Sequence, residues 1–264
     1  MIRSYHLIVC LALTLASATA GWAADADVKE VRQTLPFARD GRVSIHTYKG
    51  SIDVKTWDSA QVEIYARVEP DGFGGGWKEK IQDTEIRIDA SADSVRIESD
   101  YKKVERRSFD FWNFFDGNDG TLPLVHYKIK VPRNAIVRIK DYKSKTEVTG
   151  LNSDLDIDTY KGTVAVSGLD GSLVLNTYKG EARAQFANLA RRSRFKTYKG
   201  EIEILLPRDK GFDLDAEIGR RGSLDSAFEV RMARGKSFHG SINGGGPALH
   251  LDGYRGTFRL RRAL

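Results

Sequence analysis

The sequence predicts an all-β fold: a single-domain parallel β-solenoid of 18–22-residue coils, with a less regular N-terminal part broken by two loop inserts. Three observations carry this reading. The first is a recurring tetrapeptide, Thr-Tyr-Lys-Gly or a close variant, at 47–50, 141–144, 159–162, 177–180, 197–200 and 253–256. Self-similarity at a fixed period marks a repeat architecture. The second is strict alternation inside each unit. Leu155, Ile157 and Thr159 alternate with Asp154, Asp156 and Asp158, and after the corner Val164 and Val166 alternate with Thr163 and Ala165. Such a period of two belongs to half-buried strands. The third is that no segment shows a convincing helical period.

The chain opens MIRSYH, followed by LIVCLALTLASATA. A positive start, a short apolar run and the small residues Ala18 and Ala20 describe a secretory signal peptide over 1–20, cut after Ala20 or after Ala23. The run is shorter than the ~20 apolar residues a membrane span needs, and no later segment reaches that length. A cut there removes Cys10, the single cysteine, so the exported chain is expected to rely on burial and backbone pairing instead of disulfides.

The domain then runs over 21–264, with regular repeats from about 136 to 262. In its front part, residues 42–54 form one unit, and strands are expected at 61–68, 84–90, 94–99 and 125–131. The first insert covers 71–77. The second, 101–121, contains Phe109, Phe111, Trp112, Phe114 and Phe115. Exposed apolar clusters mark interaction sites, and the same residues equally suit a cap over a strand edge. Asp116-Gly117-Asn118-Asp119-Gly120 lacks the alternating ligand spacing and closing Glu of an EF-hand, so no metal site is assigned.

In the repeats, the tyrosine of each unit is expected to align as Tyr142, Tyr160, Tyr178, Tyr198, Phe238 and Tyr254, with Arg220-Arg221-Gly222 as a degenerate unit. Inward ladders are expected through Ile139, Ile157, Leu175 and Phe195, and through Val164, Ala182, Ile202, Leu224, Ile242 and Phe258. Beside the corner a polar ladder runs Asp141, Thr159, Thr177, Thr197 and Gly253. The corner glycine is read as the residue that tolerates positive φ, with Ser144 breaking the pattern. A meander of hairpins is the rival architecture, but it does not require the same corner residues at one period.

Coils stacked at ~4.8 Å bring like-charged lysines together. Lysine stems lying across tyrosine rings, ring stacking, and the neighbouring Glu181 and Glu201 offer structural compensation. The functional reading of the same column is a ligand-binding strip formed by Tyr48, Lys49, Tyr142, Lys143, Tyr160, Lys161, Tyr178, Lys179, Tyr198 and Lys199. Aromatic faces suit sugar rings, and lysines suit carboxylates or phosphates. The net charge is +6, and residues 191–264 hold sixteen Lys/Arg against nine Asp/Glu, which suits an anionic envelope polymer. Export argues against nucleic acid as the physiological ligand.

No catalytic constellation is found. The histidines beyond the signal peptide (His46, His126, His239 and His250) have no H-E-x-x-H spacing, no nucleophile elbow occurs, and Gly244-Gly245-Gly246 precedes no helix that would make it a phosphate loop. Neither a cofactor nor an enzymatic activity is assigned.

The segments GRVSIHTYKGSIDVKTWD and HYKIKVPRNAIVRIKDYKSKTEVTGL, followed by short units of the form x-YKG-x-V-x-V-x-G-L, resemble the DUF4097 adhesin-like family of bacterial β-strand-repeat proteins. The resemblance spans roughly residues 30–262. It implies a β-solenoid in the bacterial envelope and supplies no catalytic residues. Tyr-Lys here replaces the small polar residues usual at those corners.

Together these readings predict an exported, periplasmic or secreted, non-catalytic binding or scaffold protein that takes an anionic glycan or envelope polymer along its Tyr/Lys ladder. The absence of a C-terminal sorting signal favours the periplasm over a Gram-positive wall. The alternative is a periplasmic accessory or regulatory protein that docks an envelope protein through residues 109–115. A minor alternative is a polysaccharide-active β-helix enzyme.

Overall fold

A computed structural model of the chain describes residues 28–72, 76–107, 122–232 and 237–263. The signal-peptide assignment, the aromatic insert with Phe109, Phe111, Trp112, Phe114 and Phe115, and the loop 116–120 lie outside the described residues.

The N-terminal part holds β1 (Lys29–Pro36), β2 (Arg42–His46), β3 (Lys49–Trp57), β4 (Gln61–Glu69), α1 (Trp77–Asp83), β5 (Glu85–Ala90), β6 (Ser94–Asp100), α2 (Lys102–Arg107) and β7 (Leu124–Pro132). The repeats hold β8 (Ile136–Asp141), β9 (Lys143–Thr149), β10 (Leu155–Thr159), β11 (Thr163–Gly171), β12 (Leu173–Thr177), β13 (Glu181–Leu189), β14 (Ser193–Thr197) and β15 (Glu201–Leu206). The C-terminal part holds β16 (Phe212–Ile218), β17 (Ser223–Ser226), β18 (Arg231–Met232), β19 (Ser237–Ile242), β20 (Ala248–Gly253) and β21 (Thr257–Arg262).

These strands form two large mixed sheets. One runs β1-β4-β7-β3-β9-β11-β13-β15-β21-β17, the other β18-β19-β16-β20-β14-β12-β10-β8-β2-β6-β5. In the repeats the chain alternates between the sheets, and each strand pairs in parallel with its equivalent one unit away. Leu155, Ile157 and Thr159 stand opposite Leu173, Leu175 and Thr177. That register holds because one face is buried, and a slip of one residue would turn every apolar side chain to solvent. The inward rows of both sheets meet in one core. Ile139, Ile157, Leu175 and Phe195 form the expected ladder, which extends to Ile45 and Ile97 at one end and Leu251 at the other.

Three expectations need correction. First, the pairing is not all parallel: β1·β4, β4·β7, β5·β6, β16·β19 and β18·β19 are antiparallel. These pairs lie toward the two ends of the sheets, where the chain folds back on the outermost parallel strands. Second, spatial order departs from chain order at the C-terminus. β20 lies between β14 and β16, and β21 between β15 and β17. The second ladder therefore reads Val164, Ala182, Ile202, Phe258, Leu224, and Ile242 leaves it to pair with Phe212. Third, two short helices occur among the described residues, beside or within the inserts. α1 buries Trp77 and Ile81, and Val104 of α2 is buried beside the core. A helix of one to two turns is too short to display a period.

Candidate functional site

The corner between the two sheets explains the tetrapeptide. In three repeats the threonine side chain points inward, and its Oγ1 accepts a hydrogen bond from the backbone N–H three residues on. The distances are 3.0 Å for Gly162 to Thr159, 2.8 Å for Gly180 to Thr177, and 2.7 Å for Gly200 to Thr197. A short hydroxyl side chain that bonds its local backbone stabilises a turn in this way. Asp141 does the same at its corner, its Oδ1 accepting from the Ser144 N–H at 2.9 Å. The Ser144 corner thus keeps the bond although the glycine is missing.

At Gly50 the expected positive φ is present, at 131°, but in the three threonine corners the glycine is needed for another reason. Gly162, Gly180 and Gly200 are not among the positive-φ residues, whereas Gly150 and Gly168 are, at the opposite turn. At Gly180 an added Cβ would sit 2.1 Å from the Gly162 carbonyl oxygen, and at Gly200 2.2 Å from that of Gly180. At these two corners the layers stack so closely that only a residue without a side chain fits.

Outside the corner stand the tyrosines. Tyr48, Tyr142, Tyr160, Tyr178, Tyr198 and Tyr254 form one continuous stack, with centroids 4.8, 4.9, 4.7, 4.8 and 5.0 Å apart and interplanar angles of 2–15°. Phe238, expected in this column, instead stands opposite Ala216 in an antiparallel pair and packs against the core. The backbone ladder continues round the corner, as in Lys179 N–H to Tyr160 O at 3.0 Å and Lys199 N–H to Tyr178 O at 2.9 Å. The rings are therefore spaced by strand pairing, and their faces are covered by one another.

An open groove of about 770 Å³ runs beside this stack. Tyr48, Tyr142, Tyr160, Tyr178 and Tyr198 form one wall. The rest is lined by His46, Thr47, Glu98, Ser99, Tyr101, Lys140, Asp141, Asp158, Thr159, Asn176, Thr177 and Lys196. All five tyrosines singled out in the sequence thus come together. Lys143, Lys161, Lys179 and Lys199 are exposed at the corner and do not line the groove. Lys49 is half-buried and pairs with Asp71.

The lysine ammonium groups lie 5.5 Å (Lys161), 5.8 Å (Lys179) and 5.7 Å (Lys199) from the rings of their own units. That contact offsets the repulsion along the column. Glu201 bonds Arg259 at 2.7 Å and so serves a different cation from the lysines it was expected to neutralise.

The floor of the groove was missed in the sequence. His46, Lys140, Asp158, Asn176 and Lys196 each lie two residues before a column tyrosine and stand in one cross-strand row. Period-two alternation places them on the tyrosine's side of the strand, so the rule "tyrosine minus two" finds them. Burial, followed by the nearby Arg96 charge, holds the His46 imidazole below the usual histidine range. Burial pushes the Asp141 carboxyl up to about 6, partly opposed by the bonds from Ser144 and Thr159. Asp141 Oδ2 is buried without a hydrogen-bond partner among the described residues. Among those residues no group of His, Cys, Asp and Glu is arranged to hold a metal, and no helix is long and apolar enough to cross a membrane.

Fold and groove define an all-β protein of two large mixed sheets with an open, aromatic-walled groove. No protein-family model and no curated protein matches this chain, so the resemblance to DUF4097 proteins rests on the residues quoted for it. A solved structure from Clostridium sporogenes, described as a "putative cell adhesion protein", is similar with a TM-score of 0.53 and 10% identity, over 90% of this chain and 100% of that one. At that identity the likeness is one of fold. A "putative lipid binding protein" from Parabacteroides distasonis aligns over 89% of this chain and 97% of its own, with 11% identity and a TM-score of 0.33.

Proposed function

We propose that this chain is an exported, non-catalytic β-solenoid of the cell envelope whose groove binds an extended anionic polymer, an acidic glycan above all. Parallel register at offsets of 18–20 residues through the repeats supports the solenoid. The observation that carries the function is the continuous tyrosine wall beside an open groove, with a lysine row at the adjoining corner. Stacked rings offer a ligand their edges and hydroxyls. Lys140 and Lys196 on the floor and Lys161, Lys179 and Lys199 at the corner supply cations. An extended chain whose sugar length is close to the ~4.8 Å strand spacing would meet equivalent groups at every step. The DUF4097 resemblance and the adhesion description of the Clostridium protein agree with a binding role.

The test is co-sedimentation of the purified protein with sacculi, lipopolysaccharide and lipid vesicles. It is run beside a variant with Tyr160, Tyr178 and Tyr198 changed to Ser and Lys161, Lys179 and Lys199 changed to Gln. Binding of the wild type to a polymer fraction and its loss in the folded variant supports the groove. Identical behaviour of the two proteins rejects it.

A further inference from the structure

The tyrosine stack has two unlike ends. At Tyr48 the ring is half-buried and packs against the core. At the other end Tyr254 is 54% exposed, compared with 38% for Tyr160 within the stack. One face of Tyr254 lies against Tyr198 at 5.0 Å. Beyond it, the next layer places Gly219 where a seventh ring would stand. The Gly219 N–H bonds Gly253 O at 2.6 Å, and a Cβ on Gly219 would lie 2.4 Å from Tyr254 O. No side chain can grow from that position, so no seventh ring covers Tyr254.

The surroundings of this end of the stack are basic. The Arg255 guanidinium lies 5.5 Å from the Tyr254 centroid. Arg221 is exposed on the next corner, and Lys199 is exposed on the preceding one. Lys199, Arg221 and Arg255 form no ion pair among the described residues. Asp252, held by Lys196 at 2.9 Å, and Glu217 opposite it in the sheet lie on the groove side of the stack.

We propose that the outer face of Tyr254 is a terminal stacking site for a flat ring bearing a carboxylate. The ring adds a further rung at the stacking distance, and its acid group turns toward Arg255 and Arg221, away from Asp252 and Glu217. This deepens the groove proposal and rests on it. Inside the column every ring face is covered by its neighbours, so face-to-face contact with a ligand is confined to Tyr254. A uronic acid at the end of a glycan and a small aromatic acid share the required chemistry.

The experiment titrates trigalacturonate and, separately, benzoate into the full chain by NMR, following the tyrosine ring resonances. Tyr254→Ser and Tyr254→Phe are compared with wild type. The expected result is binding of at least one acid that shifts the Tyr254 ring, an affinity loss of about tenfold or more in Tyr254→Ser, and retention in Tyr254→Phe, which keeps the face. The acid that binds identifies the source of the ring. Equal affinity in Tyr254→Ser and wild type overturns the proposal, as does a Tyr254 ring that neither acid shifts. Polymer co-sedimentation of Tyr254→Ser separates the two proposals. If sedimentation persists while Tyr254 proves irrelevant, the terminal site fails and the groove stands.

Discussion

Replacing Asp141 with threonine isolates the effect of a buried carboxyl at a corner that needs only an acceptor. The three corners built on Thr159, Thr177 and Thr197 satisfy the same backbone N–H with a hydroxyl. At Asp141 the bond is kept, but a titrating group is 7% exposed and its pKa rises from 3.8 to about 6. A raised pKa means the folded chain holds the proton more tightly than the unfolded chain. The folded state therefore binds more protons between those two values, and stability falls as pH rises through that window. About two pKa units at 1.36 kcal/mol each correspond to about 3 kcal/mol. Asp141→Thr removes this penalty above pH 6, and little of it is left by pH 4, where the carboxyl is protonated in the folded state and close to half protonated in the unfolded one. Urea denaturation of wild type and variant at pH 4 and pH 7.5, followed by circular dichroism, measures the difference. The expected result is a variant more stable than wild type at pH 7.5 by up to about 3 kcal/mol, with the gap closing at pH 4. A gap of equal size at both pH values, or a variant less stable at pH 7.5, refutes the reasoning.

Other outcomes follow from the same geometry. Thr177→Val keeps the shape but leaves the Gly180 N–H without its acceptor, and is expected to cost about 1–3 kcal/mol in denaturant titration. Gly180→Ala forces a Cβ to 2.1 Å from a backbone oxygen and is expected to cost about 3 kcal/mol or more. Gly168→Ala, at φ 65 with no atom nearer than 3.8 Å, is expected to cost about 1 kcal/mol. Thermal melts that rank these two alanines the other way contradict the close-approach account. Binding to an acidic polymer is expected to weaken steadily between low and physiological salt, since the exposed lysines are screened over roughly 8–10 Å. Salt-independent sedimentation argues for a contact without charge.

Much of the middle of the chain was legible because stacking makes every layer repeat its neighbours. One period of 18–20 residues predicted the Thr ladder, the Ile139–Phe195 ladder and the tyrosine column together. The order of the last layers was not legible. Between Tyr198 and Tyr254 the chain makes β16 to β19 before β20 returns to pair with β14, and spacing alone cannot say which strand comes back. Phe238 was misplaced for that reason: it aligned by composition but lies in an antiparallel strand. Gly162, Gly180 and Gly200 were found for the wrong cause, although Gly50 does take the expected positive φ, because close approach and positive φ leave the same residue in a sequence. The groove was missed because attention fell on the conspicuous Tyr-Lys pairs. The varied residues two positions earlier, from His46 to Lys196, have no one residue type in common and draw notice only once strand alternation is applied to the corner.

The central claim is that a ligand lies along the whole tyrosine wall from Tyr48 to Tyr198, four steps of 4.7–4.9 Å and about 19 Å from end to end. Isothermal titration with acidic oligosaccharides of increasing length tests it most directly. The account predicts affinity that grows with each added sugar until the oligomer spans the wall, at about four or five units, and then levels. Affinity that does not change with length, or that is unaffected by Tyr160→Ser, Tyr178→Ser and Tyr198→Ser together, contradicts it.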